Sequence, residues 1–389
     1  MNVCIIAPRY PYKDNMEFVF VKKLVDEWAK NGHRCIVITT DFSWITFFHG
    51  RIDYKPKCYS YDVQPSVSVD VYNPRTISTK IKIGKLSLDL WLASRSIERQ
   101  LEFLNVKFDF IYCHFFSCAL LAYKCAQYRN IPLFIATGES NISVRYLPSK
   151  DFSLENFKKF TRGVIAVSSK NMKEAAELGL IDSSKCEVFP NGTDLNVFHP
   201  LDRNECRYKL NLPQDLFIIS CVGFICERKG QNRLLEAVRS LGENKIKLLF
   251  LGEKAKLESF VLEGDEILFE GSIENKDIPT YLCASDVFCL PTRAEGCCNA
   301  IIEAMACGLP VISSDLPFNW DVLDGSNSIM VNPDSVEEIA IAIDKLYNDK
   351  QLREKLSKGA LAKASSLGIK QRAEGIMDFI TENLSHKNV

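Results

Sequence analysis

No stretch of this 389-residue sequence is apolar for long enough to cross a membrane. The longest apolar run, residues 216–226, has about half of the roughly 20 residues that a membrane-spanning helix needs. An early apolar run at residues 3–7 stops at Pro8 and Arg9, which indicates a strand entering a loop and not a signal peptide. The sequence therefore predicts a cytoplasmic protein.

Metal-binding and disulfide patterns are also missing, although the sequence contains fifteen cysteines. No two cysteines are spaced as C-x-x-C, and no cysteine pair has histidines at zinc-finger distances. These spacings argue against a zinc site and against thioredoxin-like redox chemistry. In a cytoplasmic protein the cysteines are expected to be reduced thiols, and no metal is predicted.

Charge of one sign does not dominate, because the net charge is −1. A balance so close to zero argues against nucleic acid as a partner of the whole molecule. The halves differ, however: residues 1–190 carry +7 and the remainder −8. A basic first half favours an anionic partner for that half. Its basic stretch at residues 75–85 is either a solvated surface or a peripheral contact with anionic lipid headgroups at the inner face of the cell membrane.

Short β-rich runs alternate with longer amphipathic runs along the chain. In the first half the predicted strands are residues 3–7, 35–39, 110–113, 133–136 and 164–167. In the second half they are residues 218–222, 246–251, 287–290 and 311–314. Apolar residues at helical spacing predict helices at 17–31, 231–240, 278–284 and 299–306. The strands are nearly continuous apolar runs, as in parallel strands buried on both faces, so the pattern predicts two doubly wound α/β domains.

The two series of elements are separated by a segment rich in proline, glycine and asparagine at residues 190–200. We therefore predict an N-terminal Rossmann-like domain at residues 1–195 and a C-terminal one at residues 196–369. Two such domains joined by a hinge are expected to face each other across a cleft between the carboxyl ends of their strands. Sheets of this kind bind ligands at those ends. The last amphipathic stretch, at residues 370–389, is too short for a domain and is predicted to pack back toward the N-terminal one.

Two glutamates eight residues apart lie in the most informative segment. Glu295 follows the strand ending at residue 290, and Glu303 lies in a short helix whose expected N-cap is Asn299. Eight helical steps would rise about 12 Å, too far for the roughly 5–5.5 Å carboxylate pair of a retaining glycosidase. We therefore expect the two acids to hold different parts of one extended ligand, a sugar and a ribose. The helix N-terminus between them would suit an anion such as a diphosphate.

A second segment, residues 223–230, stands just after a predicted strand and just before a predicted helix. Gly223 permits a close turn of the backbone, and Arg228 with Lys229 places two cations in the same loop. Arginine binds phosphate through its planar fork and lysine as a compact charge. Together these cations could neutralise a nucleoside-diphosphate leaving group.

In this order and at these separations, the two segments resemble those of the family 4 retaining glycosyltransferases of the GT-B fold. The E-x7-E motif of that family matches residues 295–303, and its G-x-x-x-x-R-K-G motif matches residues 223–230. Supporting matches are residues 31–33, 165–168 and 190–200. The likeness covers nearly the whole chain and is strongest from about residue 160 to residue 345.

The resemblance implies a retaining, metal-independent hexosyltransferase without a cofactor. Its donor would be a nucleotide-diphosphate sugar, bound mainly by the second domain. Its acceptor would be a glycan or lipid-linked molecule in the synthesis of a surface polysaccharide, lipopolysaccharide or glycolipid, bound mainly by the first. Two alternatives remain open: a sugar-nucleotide epimerase or hydrolase of the same fold, and a non-catalytic subunit.

The resemblance also implies a role for each matching residue. Catalytic roles fall to Glu295, at the donor sugar hydroxyls, and to His114, which matches the histidine that lines the sugar site. Arg228 and Lys229 would hold the diphosphate, and Glu303 the ribose. The other implied donor-binding residues are Gly223, Gly296 and Asn299.

Overall fold

The computed structural model describes residues 1–13, 17–40, 56–76, 81–143, 148, 151–255 and 260–385. The chain divides into two compact units, which we call unit 1 (Met1–Phe189 with Arg372–Val389) and unit 2 (Pro190–Gln371). Both units consist of a sheet with helices packed on it. The predicted α/β class with two Rossmann-like domains is confirmed.

Sixteen strands are assigned within the described residues. Those of unit 1 are β1 (Asn2–Ala7), β2 (Arg34–Thr39), β3 (Cys58–Gln64), β4 (Val67–Tyr72), β5 (Lys82–Ile83), β6 (Leu86–Ser87), β7 (Phe110–His114), β8 (Leu133–Thr137), β9 (Thr161–Ala166) and β10 (Cys186–Val188). Those of unit 2 are β11 (Phe217–Val222), β12 (Ile246–Leu251), β13 (Ile267–Gly271), β14 (Val287–Leu290), β15 (Val311–Ser314) and β16 (Ser328–Val331).

Twelve α-helices lie in the same described part of the chain. Unit 1 contains α1 (Val19–Lys30), α2 (Leu88–Leu104), α3 (Phe116–Tyr128), α4 (Leu154–Phe160) and α5 (Ser169–Glu177). Unit 2 contains α6 (Arg203–Lys209), α7 (Gln231–Leu241), α8 (Ile278–Cys283), α9 (Asn299–Ala306), α10 (Val336–Asn348) and α11 (Lys350–Ala364). The last helix, α12 (Ile369–Ser385), begins in unit 2 and continues into unit 1. None of the helices in this part of the chain is long and apolar enough to span a bilayer.

The sheet of unit 1 has eight strands in the order β10-β9-β8-β7-β1-β2-β4-β3. Its neighbouring strands run parallel, except that β3 and β4 form an antiparallel pair at the edge. A fully parallel sheet is therefore wrong for this unit. The sequence did not reveal β3 because its residues alternate between exposed and half-buried positions. It lacks the continuous apolar run by which buried parallel strands are recognised.

The sheet of unit 2 is parallel throughout, in the order β13-β12-β11-β14-β15-β16. Counted from the first strand of the unit, this is the order 3-2-1-4-5-6 of dinucleotide-binding sheets. The chain reverses its direction of winding between β11 and β14. Ligands of such sheets bind outside the carboxyl ends of the strands at this switch point.

The chain passes between the units twice, and both passages differ from the predicted boundaries. The first falls after Phe189 and not after residue 195, because the following segment pairs with unit 2. Thr193 donates its amide to Leu367 O at 3.0 Å, and Ile369 donates to Thr193 O at 2.8 Å. The second passage falls after Gln371 and not after residue 369.

Helix α12 completes the core of unit 1. The indole of Trp28 donates to Ala373 O at 2.9 Å. Further along α12 the ring of Phe379 packs against Phe134 and Phe189, with centroids 6.5 and 5.8 Å away. Gly163 leaves the necessary space, because a Cβ there would lie 2.7 Å from the Phe379 ring. The final helix is thus an integral part of a unit whose strands come from the other end of the chain.

Substituting Phe379 tests this packing. We expect Phe379→Ala to lower the free energy of unfolding by about 3–5 kcal/mol, because a large buried ring is replaced by a cavity. The matched control Phe103→Ala removes a ring that is 79% exposed on α2 and should change it by less than about 0.5 kcal/mol. Denaturant unfolding of the full chain measures both, and equal effects would contradict the packing role.

Candidate functional site

The switch point of unit 2 brings together two loops that are far apart in sequence. β11 pairs directly with β14. The loop after β11 runs from Gly223 to Gly230, and the loop after β14 covers residues 291–298. These are the two segments singled out in the sequence, so unit 2 places them at the edge where such sheets bind ligands.

Glycine at position 223 shapes the first loop. Its amide donates to Leu251 O at 2.9 Å, and a Cβ on Gly252 would lie 2.1 Å from its carbonyl oxygen. The φ angle of Gly223 is 140°, in a region that other residues rarely adopt. A Cβ at Gly223 would also lie 3.5 Å from the Nζ atom of Lys229, where it would cover part of the ammonium group.

A buried ion pair joins the two loops. Lys229 Nζ lies 2.8 Å from Glu295 Oε1, and the two side chains are only 10% and 14% exposed. The more exposed Arg228 also donates to this carboxylate and to the carbonyl oxygen of Ala294. Thr292 Oγ1 donates to Glu295 Oε1 at 3.1 Å. One carboxylate therefore accepts from two cations and a hydroxyl.

The pKa values of this pair favour its charged form. Burial alone would raise the pKa of Glu295, but the charges of Lys229 and Arg228 outweigh it and hold the pKa below its ordinary value. Burial likewise acts to lower the pKa of Lys229, while Cys298 and Glu295 raise it above its ordinary value. The stability that Glu295 contributes is present above the ordinary carboxyl range and is lost as the pH falls through its lowered pKa.

The geometry of both loops depends on a residue that sequence analysis missed, Arg233 on α7. This buried guanidinium donates to Pro333 O at 2.6 Å, to Pro291 O at 3.0 Å and to Glu227 O at 3.0 Å. It thereby holds three separate segments of unit 2. The signal in the sequence is weak: a single cation at the start of a predicted amphipathic helix resembles an ordinary surface residue.

We call these three contacts of Arg233 the Arg233 clamp, and a half-exposed ion network reinforces it. Arg293 donates to Asp334 Oδ1 at 2.6 Å and to Glu227 Oε1 at 2.8 Å. Its backbone amide also donates to Arg228 O at 2.9 Å. The loop that carries Arg228 is therefore tied to the loop that carries Glu295 through backbone and side chains alike.

Helix α9 begins one residue earlier than an N-cap at Asn299 predicts. Cys298, with extended backbone angles, is the N-cap, and Asn299 is the first helical residue. The prediction of Asn299 as N-cap is therefore wrong. Its Oδ1 atom is buried and has no hydrogen-bond partner in the described structure. Glu303, which is buried, follows four residues later on the same face of the helix. Only four of the eight steps from Glu295 are helical, so the predicted 12 Å rise does not apply.

His114 lies in unit 1, at the carboxyl end of β7 and next to the switch point between β7 and β1. Its imidazole is buried, and neither ring nitrogen has a hydrogen-bond partner among the described residues. Burial, helped by the charge of Arg372, lowers the pKa of His114 to about 3, so the ring is neutral near neutral pH. The rings of Phe20 and Phe115 pack beside it at 5.2 and 4.4 Å.

The predicted residues thus fall into three groups. Gly223, Arg228, Lys229 and Glu295 meet at the switch point of unit 2, and buried Gly296 follows in the same loop. Asn299 and Glu303 share one face of α9 in unit 2, and His114 belongs to unit 1. In the described ranges, no three His, Cys, Asp or Glu side chains are grouped so that they could hold a metal ion.

Removing the Arg233 clamp should destabilise unit 2. Arg233→Met leaves buried carbonyl oxygens without donors, so we expect the free energy of unfolding to fall by about 3 kcal/mol. Arg239→Met is the control, because Arg239 lies on the same helix but is half-exposed and pairs with Glu266; it should cost at most about 1 kcal/mol. If the two variants unfold at the same denaturant concentration, the clamp does not stabilise the site.

Two family profiles match the chain, one after the other. Residues 18–197 match the family described as Glycosyltransferase Family 4, and residues 202–363 match Glycosyl transferases group 1. Among relatives, TuaC of Bacillus subtilis, assigned to teichuronic acid biosynthesis as a glycosyltransferase, is 30% identical over 63% of this chain. The chain spans 62% of the length of that relative.

Another relative is an α-1,3-galactosyltransferase of Escherichia coli that acts on GlcNAc-diphosphoundecaprenol; it is 24% identical over 72% of this chain and 77% of its own. Solved structures resemble the whole chain. The sucrose-phosphate synthase of Thermosynechococcus elongatus superposes with a TM-score of 0.75 at 18% identity, over 99% of this chain and 100% of its own. HepE of Anabaena, in complex with UDP, has a TM-score of 0.72 at 17% identity, covering 98% and 100%.

These structural likenesses show the fold, and the two profiles together cover most of the residues from 18 to 363. The chain belongs to the family 4 glycosyltransferases of the GT-B fold.

Proposed function

We propose that this protein is a retaining glycosyltransferase that moves a hexose from a nucleotide-diphosphate sugar to a glycan or lipid-linked acceptor. The acceptor belongs to the synthesis of a surface polysaccharide, lipopolysaccharide or glycolipid. The observation that carries the proposal is the cluster at the switch point of unit 2, in which the buried Lys229 and Glu295 meet the partly exposed Arg228. A nucleotide-binding strand order with two cations at that edge suits a diphosphate.

In this proposal the cations stabilise the leaving group. The bond between the anomeric carbon and the diphosphate oxygen breaks, and negative charge accumulates on that oxygen. Arg228 and Lys229 stabilise this charge, which is larger in the transition state than in the bound donor. The acceptor hydroxyl forms the new bond on the same face of the sugar and gives its proton to the leaving phosphate.

Glu295 has two tasks in the proposed site. It accepts hydrogen bonds from hydroxyls of the donor sugar near the reacting carbon, and it holds Lys229 in place beside the diphosphate. Its lowered pKa supports both tasks, because an ionised carboxylate is purely an acceptor of hydrogen bonds. The pair is thus assembled before the donor arrives, and little rearrangement is needed.

Helix α9 and the glycines hold the rest of the donor. Glu303 accepts from the ribose hydroxyls, and Asn299 supplies a buried side-chain oxygen that has no partner within the described residues. Gly223 and Gly296 let the donor approach the backbone closely. An unpartnered buried oxygen is costly, and a donor hydroxyl would satisfy the one on Asn299.

His114 is the second proposed catalytic residue. A neutral imidazole with both nitrogens unpartnered can donate one hydrogen bond and accept another, which suits a sugar hydroxyl. Because its pKa is about 3, the ring stays neutral when the pH is lowered to 5. Protonation of His114 is therefore not expected to limit activity on the acid side of neutrality.

The relatives support this choice of substrate class. One is named as a glycosyltransferase of teichuronic acid biosynthesis and another as acting on a lipid-diphosphate-linked acceptor, while HepE has been solved with UDP-glucose. UDP-glucose is therefore the first donor to test. We further propose that the reaction needs no metal or cofactor, and that the protein contacts an anionic membrane through unit 1 at the inner face of the cell membrane.

The two alternatives make different demands on the site. An epimerase or hydrolase would need no acceptor, so it would consume the donor alone at its full rate. A non-catalytic subunit would have no need of Glu295, Lys229 and Arg228, and the buried pair would remain a desolvation cost without a use. Family membership together with the complete cluster favours the glycosyltransferase.

Donor binding can be measured before the acceptor is known. We expect UDP-glucose or another nucleotide sugar to raise the melting temperature by mass action, with a stabilisation of about 2.7 kcal/mol at a hundred times its Kd. Calorimetry should give the same Kd with and without EDTA. Failure of every UDP- and GDP-sugar to bind would overturn the proposed donor class, and loss of binding in EDTA would overturn metal independence.

Two variants separate chemistry from binding. Glu295→Gln should lower sugar transfer to a bacterial lipid extract by about 10²–10³-fold, while UDP affinity changes little. Glu303→Gln should weaken UDP binding roughly tenfold through the lost ribose contact. Glu337→Gln, on an exposed turn of α10, is the control for both. If Glu295→Gln transfers sugar at the wild-type rate while remaining folded, the catalytic assignment is wrong.

A further inference from the structure

A small hairpin in unit 1 carries apolar side chains that the core does not use. Strands β5 and β6 pair with each other, outside the eight-stranded sheet. Ile83, next to the turn, is 73% exposed, and Ile81 before it is 50% exposed. Trp91, in the first turn of the following helix α2, is 44% exposed. Large apolar side chains clustered at a surface mark a place that contacts another molecule or a lipid phase.

These side chains border one cavity. It has a volume of about 520 Å³, and the apolar residues Ile81, Ile83, Leu86 and Trp91 line it together with the charged Arg95, Lys124 and Asp151. We call the four apolar residues the hairpin surface. Arg95 lies over the Trp91 ring, 5.9 Å from its centroid, so aromatic, aliphatic and cationic groups occur side by side.

The charge around the hairpin surface is positive. The sequence from residue 75 to residue 88 contains no acid, and Lys82 and Lys85 are exposed within it. The predicted contribution of Lys80 falls outside the described residues. Lys82 precedes Ile83 and Lys85 precedes Leu86, so cations and apolar groups alternate along the hairpin.

Nearby acids offset only part of this charge. Glu98 pairs with Arg95 at 2.6 Å, and Asp151 pairs with Lys124 at 3.4 Å. Neither of these two pairs involves Lys82 or Lys85, and one further acid, Asp89, stands at the start of α2. The surface that meets a partner is therefore apolar at its centre and cationic at its edge.

We propose that the hairpin surface docks on the face of an anionic lipid bilayer. Ile81 and Ile83 enter the boundary between headgroups and acyl chains, Trp91 lies at the level of the headgroups, and the lysines contact lipid phosphates. The hairpin surface would hold the protein beside a lipid-linked acceptor, and in that sense the inference rests on the proposed function and deepens it. Vesicle binding is nevertheless measurable without any transfer reaction.

Three features favour a bilayer over a protein partner. Tryptophan beside lysine and arginine is the composition of groups that sit at membrane interfaces. Cations around a small apolar tip suit a surface where acyl chains lie beneath a layer of phosphates. The basic first half of the chain, at +7, is attracted to the same negative surface. The sequence suggested a purely electrostatic contact, and the structure adds the apolar tip.

A matched pair of aspartate substitutions tests the apolar part. The full chain is mixed with vesicles of phosphatidylcholine containing phosphatidylglycerol, and bound protein is measured by flotation. We expect Ile83→Asp to reduce partitioning at least tenfold. Ile341→Asp, at a 59% exposed isoleucine of α10 in unit 2, should not reduce it. Equal losses from the two variants would overturn the proposal.

A second pair tests the charges. Lys82→Glu combined with Lys85→Glu should weaken binding at least tenfold and reduce its salt dependence. The control, Lys355→Glu combined with Lys358→Glu, places the same charge change on exposed positions of α11. Vesicles of phosphatidylcholine alone should bind the wild-type chain weakly. Equal binding to neutral and anionic vesicles would show that the lysines do not contact phosphates.

Tryptophan fluorescence reports the depth of the contact. Emission should shift to the blue on addition of anionic vesicles and should be quenched by brominated acyl chains. Trp91→Phe should abolish both changes, while Trp320→Phe, at an exposed position of unit 2, should keep them. Absence of vesicle binding would overturn the proposal. Self-association of the chain that Ile83→Asp prevents would also overturn it, because it would assign the surface to a protein contact.

The outcomes for docking and for transfer are separable. A chain that binds vesicles but no nucleotide sugar would support the docking surface and contradict the proposed function. A chain that binds UDP-glucose but no vesicle would support the proposed function and contradict the docking surface. Each variant is checked for an unchanged melting temperature, so a folding defect cannot be mistaken for lost docking.

Discussion

The buried pair of Lys229 and Glu295 is the constraint around which unit 2 is organised. Two opposite charges taken out of water are costly unless they meet with good geometry and further hydrogen bonds. Their loops follow strands that are far apart in sequence, so the pair can form only when β11 and β14 lie side by side. The Arg233 clamp and the Arg293 network then hold the loops at that separation. The strand order, the positions of the two loops and the buried ion pair therefore all belong to one arrangement.

The same arrangement explains how one carboxylate can serve both stability and the proposed chemistry. In the free protein the negative charge of Glu295 lies beside both cations and offsets part of the repulsion between them. A diphosphate would bring its own negative charge to Arg228, the more exposed cation, and Lys229 would remain paired. The site would therefore accept an anion without first breaking the contact that holds its loops together.

Much of this was predictable from the sequence, and the failures have physical causes. Buried parallel strands are apolar runs, so the sequence predicted five of the ten strands described in unit 1 and four of the six in unit 2. The motif around Gly223 and Arg228 could be located because glycine and paired cations stand out in a loop. β3 was missed because a half-exposed edge strand has no such run. Asn299 was taken as an N-cap on residue type, but the backbone angles make Cys298 the cap. Arg233 escaped notice because its burial depends on three segments that only the fold brings together.

Unit 1 is built from both ends of the chain, and this has a consequence for its synthesis. A ribosome delivers residues 1–189 first, including the strands that carry Phe134 and Gly163, while Phe379 is made only after all of unit 2. Until then the Phe379 ring does not pack on Phe134, and the apolar surface around Phe134 stays exposed. A chain that stops early can complete unit 2 but cannot close unit 1. The position of α12 thus makes the folding of unit 1 depend on residues that are synthesised only after unit 2.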